Sequence, residues 1–298
     1  MSEKGLVLID GNNLSYRVFW THRQLRHKAM NVGLLYGFLR SLIALRKDYK
    51  QEDFVVAWDW GSERRKRESE AGVEAGIIPS AYKQNRKDRE APPEFELMFE
   101  QMDTLRDDFL PLTNVVQSHK KGFEADDIIF TYVHQYAVLR PVVVITSDKD
   151  FYQLLRPNVT IYNPAADKKT RFTADDFETE YGFEPRLWVD VGALEGDSGD
   201  NIHGVPKWGV KTACKYIQQH GSVEAVIEAV RAKQKRGKIE DALLEHLDRV
   251  DLARSLKQMD IVPELPGVVG EAGDEDALRQ LCIEKSFVSL LKDLWRLV

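Results

Sequence analysis

Cysteine is scarce in this chain. Its 298 residues hold two, Cys214 and Cys282. They are too few for a disulfide framework and lack the spacing of a zinc site, so a reducing cytoplasm is the expected setting. The seven histidines include no i, i+4 pair of the kind that chelates zinc from one helix face. No apolar run approaches the roughly 20 residues that span a bilayer, and the opening Met-Ser-Glu-Lys-Gly has no signal-peptide pattern, so a soluble globular protein is expected. Surplus positive charge is missing as well. The net charge is −6, which by itself argues against a phosphate-rich partner. What is present is enough apolar residue, 43%, to bury the core of one large or two modest domains.

The distribution of charge reverses the inference from its total. Between Arg64 and Arg89 eight basic residues (Arg64, Arg65, Lys66, Arg67, Lys83, Arg86, Lys87, Arg89) face four acids (Glu68, Glu70, Glu74, Asp88). A second stretch, Arg231 to Lys238, is basic throughout. Local patches, more than the total, decide contact with a polyanion.

Acids gather where strands are expected to end. Gly5 to Ile9 is a short apolar run delivering Asp10 into a Gly-Asn-Asn turn, and Phe54 to Trp58 repeats the pattern and ends at Asp59. Pro141 to Thr146 is the clearest strand and runs into Ser147-Asp148-Lys149-Asp150, while Asn114 to Gln117 reads as a further strand. Helical periodicity from Val32 to Leu45 and again from Glu94 alternates with these runs, which indicates an α/β domain with a mostly parallel central sheet and flanking helices. Gly122 to Phe130 places Glu124, Asp126 and Asp127 in the first turn of a helix whose buried face is Ala125, Ile128, Ile129, Tyr132, Val133 and Tyr136. A helix start tolerates acids, and aspartate often forms the turn after a strand. Four strand-end aspartates facing three more carboxylates are a costly accumulation unless cations neutralise them. The working end of such a sheet lies beyond the carboxyl ends of its strands.

Residues 62–93 resist this pattern. Gly72, Gly76 and Pro79 are expected to break any long helix, and the basic residues read as an excursion over the site that handles a polyanion, against the alternative of a solvated charged loop. From about residue 185 the sheet signal stops. Asp197 and Asp200 form an acidic pair three apart, followed at once by Gly204-Val-Pro-Lys207-Trp-Gly209-Val-Lys211-Thr212. A glycine-punctuated hairpin opening a helix presents N–H groups and cations to phosphate. The tail beyond Asp260 has only weak helical periodicity.

Taken together these residues resemble the 5′-nuclease superfamily of bacteriophage 5′-exonucleases, flap endonucleases and the 5′-nuclease domain of bacterial DNA polymerase I. The matching pieces are Asp10-Gly-Asn-Asn with Tyr16-Arg17, Asp59, Tyr82-Lys83-Gln-Asn-Arg86, Gly122-Phe-Glu-Ala-Asp-Asp127, Thr146-Ser-Asp-Lys-Asp150 with Gln153-Leu154, and Gly196-Asp-Ser-Gly-Asp-Asn-Ile202 with the hairpin. They fall in family order across about residues 5 to 220. The length and Gly199 between the last two acids look most like the free-standing phage enzymes. His203 and Pro206-Lys-Trp208 depart from the commoner pattern and bear on the duplex grip.

The resemblance implies an α/β nuclease domain over 1–184 with an arch insertion at 60–93. It implies a helical duplex-binding region over 185–298 with a helix-hairpin-helix at about 197–220. It implies two or more Mg²⁺ ions, with Mn²⁺ as a substitute and a K⁺ site in the hairpin region left open. Asp10, Asp59, Glu124, Asp126 and Asp148 would surround the first ion and Asp150, Asp197 and Asp200 the second, with Asp126 or Asp127 near both. Lys83 and Arg86 would act on the phosphate, and Tyr82 would offer a ring for a base, on a helix running from Tyr82. Gly204, Lys207, Gly209, Lys211 and Thr212 would hold DNA. The implied partner is DNA with 5′ ends or flaps, with RNA-primed strands and replication proteins as further candidates, bound by a monomer in the cytoplasm, or in a host's if phage-encoded. Two rival functions are a PIN-like ribonuclease, which would lack the hairpin, and a DNA-junction binder without catalysis, which would be expected to have lost some of the nine carboxylates.

Overall fold

The computed structural model describes residues 4–87, 92–166 and 170–298. Residues 88–91 of the expected arch, with Asp88 and Arg89, lie outside them. The order begins with β1 (Leu6–Asp10) and α1 (Gly11–Thr21), then a small antiparallel hairpin of β2 (Arg26–His27) and β3 (Met30–Asn31), then α2 (Gly33–Asp48) and β4 (Asp53–Ala57). The next elements are α3 (Glu63–Glu74), α4 (Gln84–Lys87), α5 (Glu94–Thr104), β5 (Val116–Ser118), α6 (Ala125–Tyr136), β6 (Val142–Ile145), β7 (Val159–Tyr162) and β8 (Arg171–Phe172). They form one six-stranded sheet in the order β5-β4-β1-β6-β7-β8, parallel except for β8 at the edge. β7 and β8 extend it beyond the strands legible in the sequence.

Alternation along the strands sends side chains to two cores. Leu6, Leu8, Val55, Ala57, Val142 and Val144 pack under α6, and Val7, Ile9, Phe54, Val56 and Ile145 face α1 and α2 on the opposite side. β1 lies between β4 and β6, with Ile9 level with both Val56 and Ile145. The chain therefore leaves three neighbouring strands at one edge, at Asp10, just before Asp59, and just before Asp148.

The second half is helical: α7 (Ala174–Tyr181), α8 (Trp188–Glu195), a two-stranded hairpin of β9 (Gly196–Asp197) and β10 (Ile202–His203), then α9 (Val210–His220), α10 (Val223–Arg231), α11 (Lys238–Glu245) and α12 (Leu247–Lys257). The hairpin needs two glycines. A Cβ on Gly196, whose φ is +79°, would lie 2.3 Å from Gly204 N, and one on Gly204 would lie 2.3 Å from Glu195 C. Beyond α12 the chain does not extend this helical region as expected. α13 (Glu275–Glu284) and a 3₁₀ segment, Val288–Arg296, return to the α/β layer, where Leu278, Cys282, Phe287, Leu290 and Leu294 join the α2 core. Their apolar spacing is short and interrupted, which hid a real packing face. No helix among the described residues is long and apolar enough to cross a membrane.

Candidate active site

The strand ends bring Asp10, Asp59 and Asp148 together. Asp10 is 8% exposed. It caps α1 by accepting from Asn13 N at 3.0 Å, and it accepts from Thr146 Oγ1 at 3.1 Å. Burial, with the charges of Asp59 and Asp148 added, pushes its pKa up to about 7. Asp148 is exposed at the mouth of the cleft; partial desolvation by the surrounding protein and then Asp150's charge push it up to about 6. Asp126, at the start of α6, is driven well above the usual carboxylate range by burial and by Glu124. Asp59 accepts from Ala125 N at 2.8 Å, which ties the β4 end to the start of α6. Asp10, Asp59 and Asp148 have no ion-pair partner among the described residues. Carboxylates gathered at one edge without an ion-pair partner offer the hard oxygen donors that a divalent ion takes.

The remaining carboxylates are already neutralised. Asp127 accepts from both Arg65 terminal nitrogens at 2.8 Å, from Asp260 N at 2.8 Å and from Glu124 N at 3.2 Å. All its acceptor positions are used, so it positions Arg65 and the α6 start, and the expectation that it stands near the cations is corrected. Glu124 is the N-cap of α6 rather than part of its first turn, and it meets Arg65 at 3.1 Å and Lys83. Asp150 and Asp197 share Lys257, and Asp200 pairs with Arg86. Burial would raise Asp197, but Lys257 outweighs it and holds this carboxylate below its ordinary value. No three carboxylate, imidazole or thiol groups among the described residues converge as a ready-made cation cage.

The excursion after β4 departs from the sequence reading in three ways. α3 runs through Gly72, which leaves room for Leu252: a Cβ there would lie 2.5 Å from Leu252 Cδ2. Part of its basic charge is spent internally, because Arg65 is 3% exposed and Arg64 binds Glu68 at 3.0 Å, Asp260, and the carbonyls of Ser255 and Gln258. Tyr82 is 5% exposed and presents no ring to a base. Its hydroxyl donates to Glu124 Oε2 at 2.8 Å, with Asp200 Oδ2 at 3.1 Å, and burial with these two charges raises its pKa.

Lys83 and Arg86 do reach the site, by a different route from the one expected. α4 begins at Gln84, and Lys83 turns in the left-handed region at φ +54°, fixed by its N–H to Asp200 O at 2.8 Å. Asn85 donates to Ser198 O at 2.7 Å, Arg86 Nε to Gly199 O at 3.2 Å, and Asn201 Nδ2 to Ala81 O at 2.6 Å. Residues 81–86 are thus stitched to the acidic loop of the hairpin. Lys83 Nζ bonds Glu124 and lies 3.8 Å from Asp200; burial lowers its pKa, and these carboxylates outweigh that and raise it.

On the hairpin, Lys207 and Lys211 are exposed, Gly209 caps α9 with open space beside it, and Thr212 is half-buried. Trp208 anchors the turn by donating to Ile239 O at 2.8 Å. Gly204 makes the close approach to α8. A cleft of about 760 Å³ joins this hairpin to the carboxylates, lined by Asp148, Asp150, Asp197, His203, Trp208 and Lys257. Arg65 and Lys257 escaped the sequence reading: a cation inside a charged helix looks like a solvated one, and only the buried spacing Arg65, Ser69, Gly72 on α3 offered a signal.

The fold is shared with 5′ nucleases of known structure. The bacteriophage T5 5′-exonuclease, in a structure with zinc bound, matches with a TM-score of 0.68 at 22% identity, covering 98% of this chain and 99% of its own. The bacteriophage T5 D15 flap endonuclease, in a complex with DNA and metal ions, matches with a TM-score of 0.67 at 20% identity over 97% of each chain. The thermostable DNA polymerase I of Thermus filiformis is 31% identical over 294 residues, 97% of this chain and 33% of the polymerase. The chain spans about a third of the length of the curated relatives it matches. Residues 5–182 match the 5′-3′ exonuclease N-terminal resolvase-like domain and residues 183–271 the 5′-3′ exonuclease C-terminal SAM fold. The chain belongs to the 5′-3′ exonuclease family.

Proposed function

We propose that this protein is a structure-selective 5′ nuclease that hydrolyses phosphodiester bonds near DNA 5′ ends and 5′ flaps, with Mg²⁺ as its working cation and Mn²⁺ as a substitute. The observation that carries the reading is the unpaired trio Asp10, Asp59 and Asp148 at adjacent strand ends, with Lys83 and Arg86 held nearby on Glu124 and Asp200. Asp10, Asp59, Asp126 and Asp148, with Glu124 behind them, would hold the cation. When bound there it would polarise the phosphoryl group and favour ionisation of the attacking water. Lys83 offers a point charge to a non-bridging oxygen and Arg86 a planar fork to a neighbouring phosphate. Glu124 and Asp200 aim both cations. Water adds to phosphorus, the bond to the leaving oxygen breaks, and that oxygen takes up the proton. Lys207, Lys211 and the Gly209 end of α9 would grip duplex backbone without reading bases. We assign domains over 1–184 and 185–274, with 275–298 completing the first, and a monomer acting in replication or repair in the cytoplasm.

The test is a digest of one end-labelled 5′ flap, compared with blunt duplex and with an RNA-tipped strand, in Mg²⁺ and in EDTA. Cation-dependent release of the flap is expected. Binding of the flap without cleavage in Mg²⁺ or Mn²⁺ would mean a junction-binding protein, and cleavage confined to single-stranded RNA would mean a ribonuclease.

A further inference from the structure

Lys257 ends α12 at the floor of the cleft, 8% exposed. Its ammonium lies 2.9 and 2.7 Å from the two oxygens of Asp150 and 2.7 Å from Asp197 Oδ2. An ammonium has three N–H donors and no acceptor, and these three oxygens use all of them. The approach is prepared by Gly192 of α8: a Cβ there would lie 3.1 Å from Lys257 Cγ and 3.4 Å from Cδ and Cε. The stem therefore lies close along the helix surface at Gly192, where a Cβ would press on it. Gln153 ties the same two backbones together, donating to Asp150 O at 2.8 Å and to Lys257 O at 3.3 Å.

We propose that the Lys257 ammonium is this chain's own cation at the second position, so that the protein holds one divalent ion tightly, at Asp10, Asp59 and Asp148, and none tightly at Asp150 and Asp197. The proposal rests on the nuclease reading above and deepens it. Mg²⁺ demands near-octahedral oxygen coordination and keeps several waters. At Asp150 and Asp197 the oxygens that would face it are engaged by the ammonium. A divalent ion arriving there meets a fixed like charge in a recessed site, where repulsion is screened less than in water. Asp200, the third carboxylate expected at this position, is paired with Arg86. Ejecting Lys257 would strand its charge against the Gly192 groove. The fixed monocation remains in the cleft beside Asp148, where it stabilises negative charge that develops on a bound phosphate.

Counting bound Mn²⁺ by electron paramagnetic resonance on the full chain tests this without reference to turnover. The wild type is expected to bind one Mn²⁺ per chain in the sub-millimolar range, and Lys257→Met two. Lys257→Gln, which removes the charge and keeps a polar end, is expected to behave the same way and covers the case in which the methionine variant fails to fold. Two Mn²⁺ of similar affinity on the wild type would overturn the proposal, as would one on the wild type and on both variants. No bound Mn²⁺ on any of the three would overturn the cation site of the nuclease reading, and this proposal with it.

Discussion

Arg65 and Asp127 meet in a two-pronged ion pair, 2.8 Å at each contact, with the arginine 3% and the aspartate 1% exposed. The pair joins α3 to the start of α6, and Arg65 Nε extends the link by donating to Leu256 O on α12 at 3.0 Å. Breaking such a pair strands a buried charge. Arg65→Met is expected to cost about 3–5 kcal/mol of stability, read as a lowered urea midpoint. Arg65→Lys should recover little, because an ammonium cannot reproduce the planar fork. A change below about 1 kcal/mol would show that the pair contributes little net stability.

The raised carboxyls predict how pH acts on the metal-free protein. Asp10 titrates near 7 in the fold against 3.8 when unperturbed, and Asp148 near 6. Between those values the folded state binds more protons than the unfolded one, so their contribution to stability falls as pH rises from about 4 to 7. Asp10→Asn removes one titration. In EDTA it should stabilise the protein, more at about pH 8 than at about pH 5, in thermal melts run beside the wild type. A pH-independent difference would contradict the assignment. With cation present the order reverses, since Mn²⁺ must displace these protons and should bind more weakly below about pH 6.

Lys83 is poised to serve chemistry more than affinity. Lys83→Ala is expected to lower the single-turnover rate on a 5′ flap by about tenfold or more, on the order of 1.4 kcal/mol of transition-state stabilisation. Duplex affinity should fall much less. An unchanged rate with weakened binding would make Lys83 a steering charge.

Lys211 should behave in the opposite way. If α9 grips backbone, Lys211→Ala weakens binding about equally for all sequences and reduces the salt dependence by roughly one phosphate contact. Binding titrations across salt on two unrelated duplexes measure both. Loss confined to one sequence would mean that the hairpin reads bases.

Much of this was legible because acids at strand ends and glycines in hairpins are local signals. Asp10, Asp59 and Asp148 follow apolar runs that can only be buried strands, and the sheet order then makes them neighbours. The misreadings are of another kind. Tyr82, Arg65 and Lys257 sit in polar surroundings in the sequence, where nothing marks that α12 closes over the first two and that Lys257 lies against α8. Residues 275–298 carry an apolar face too broken for periodicity to expose, and it becomes evident only where α2 supplies the surface it covers. Gly72 illustrates the same limit, since a glycine within a helix reads as a break until the packed Leu252 accounts for it.

The central claim is that the carboxylates at the strand ends make this fold a cation-dependent nuclease. Asp148→Asn tests it most directly, in a single-turnover assay on a 5′ flap at saturating Mg²⁺ with DNA binding measured alongside. The account predicts that cleavage is lost, while DNA binding is retained or improved because a charge that repels phosphate has been removed. Near-normal cleavage by the folded variant would contradict it.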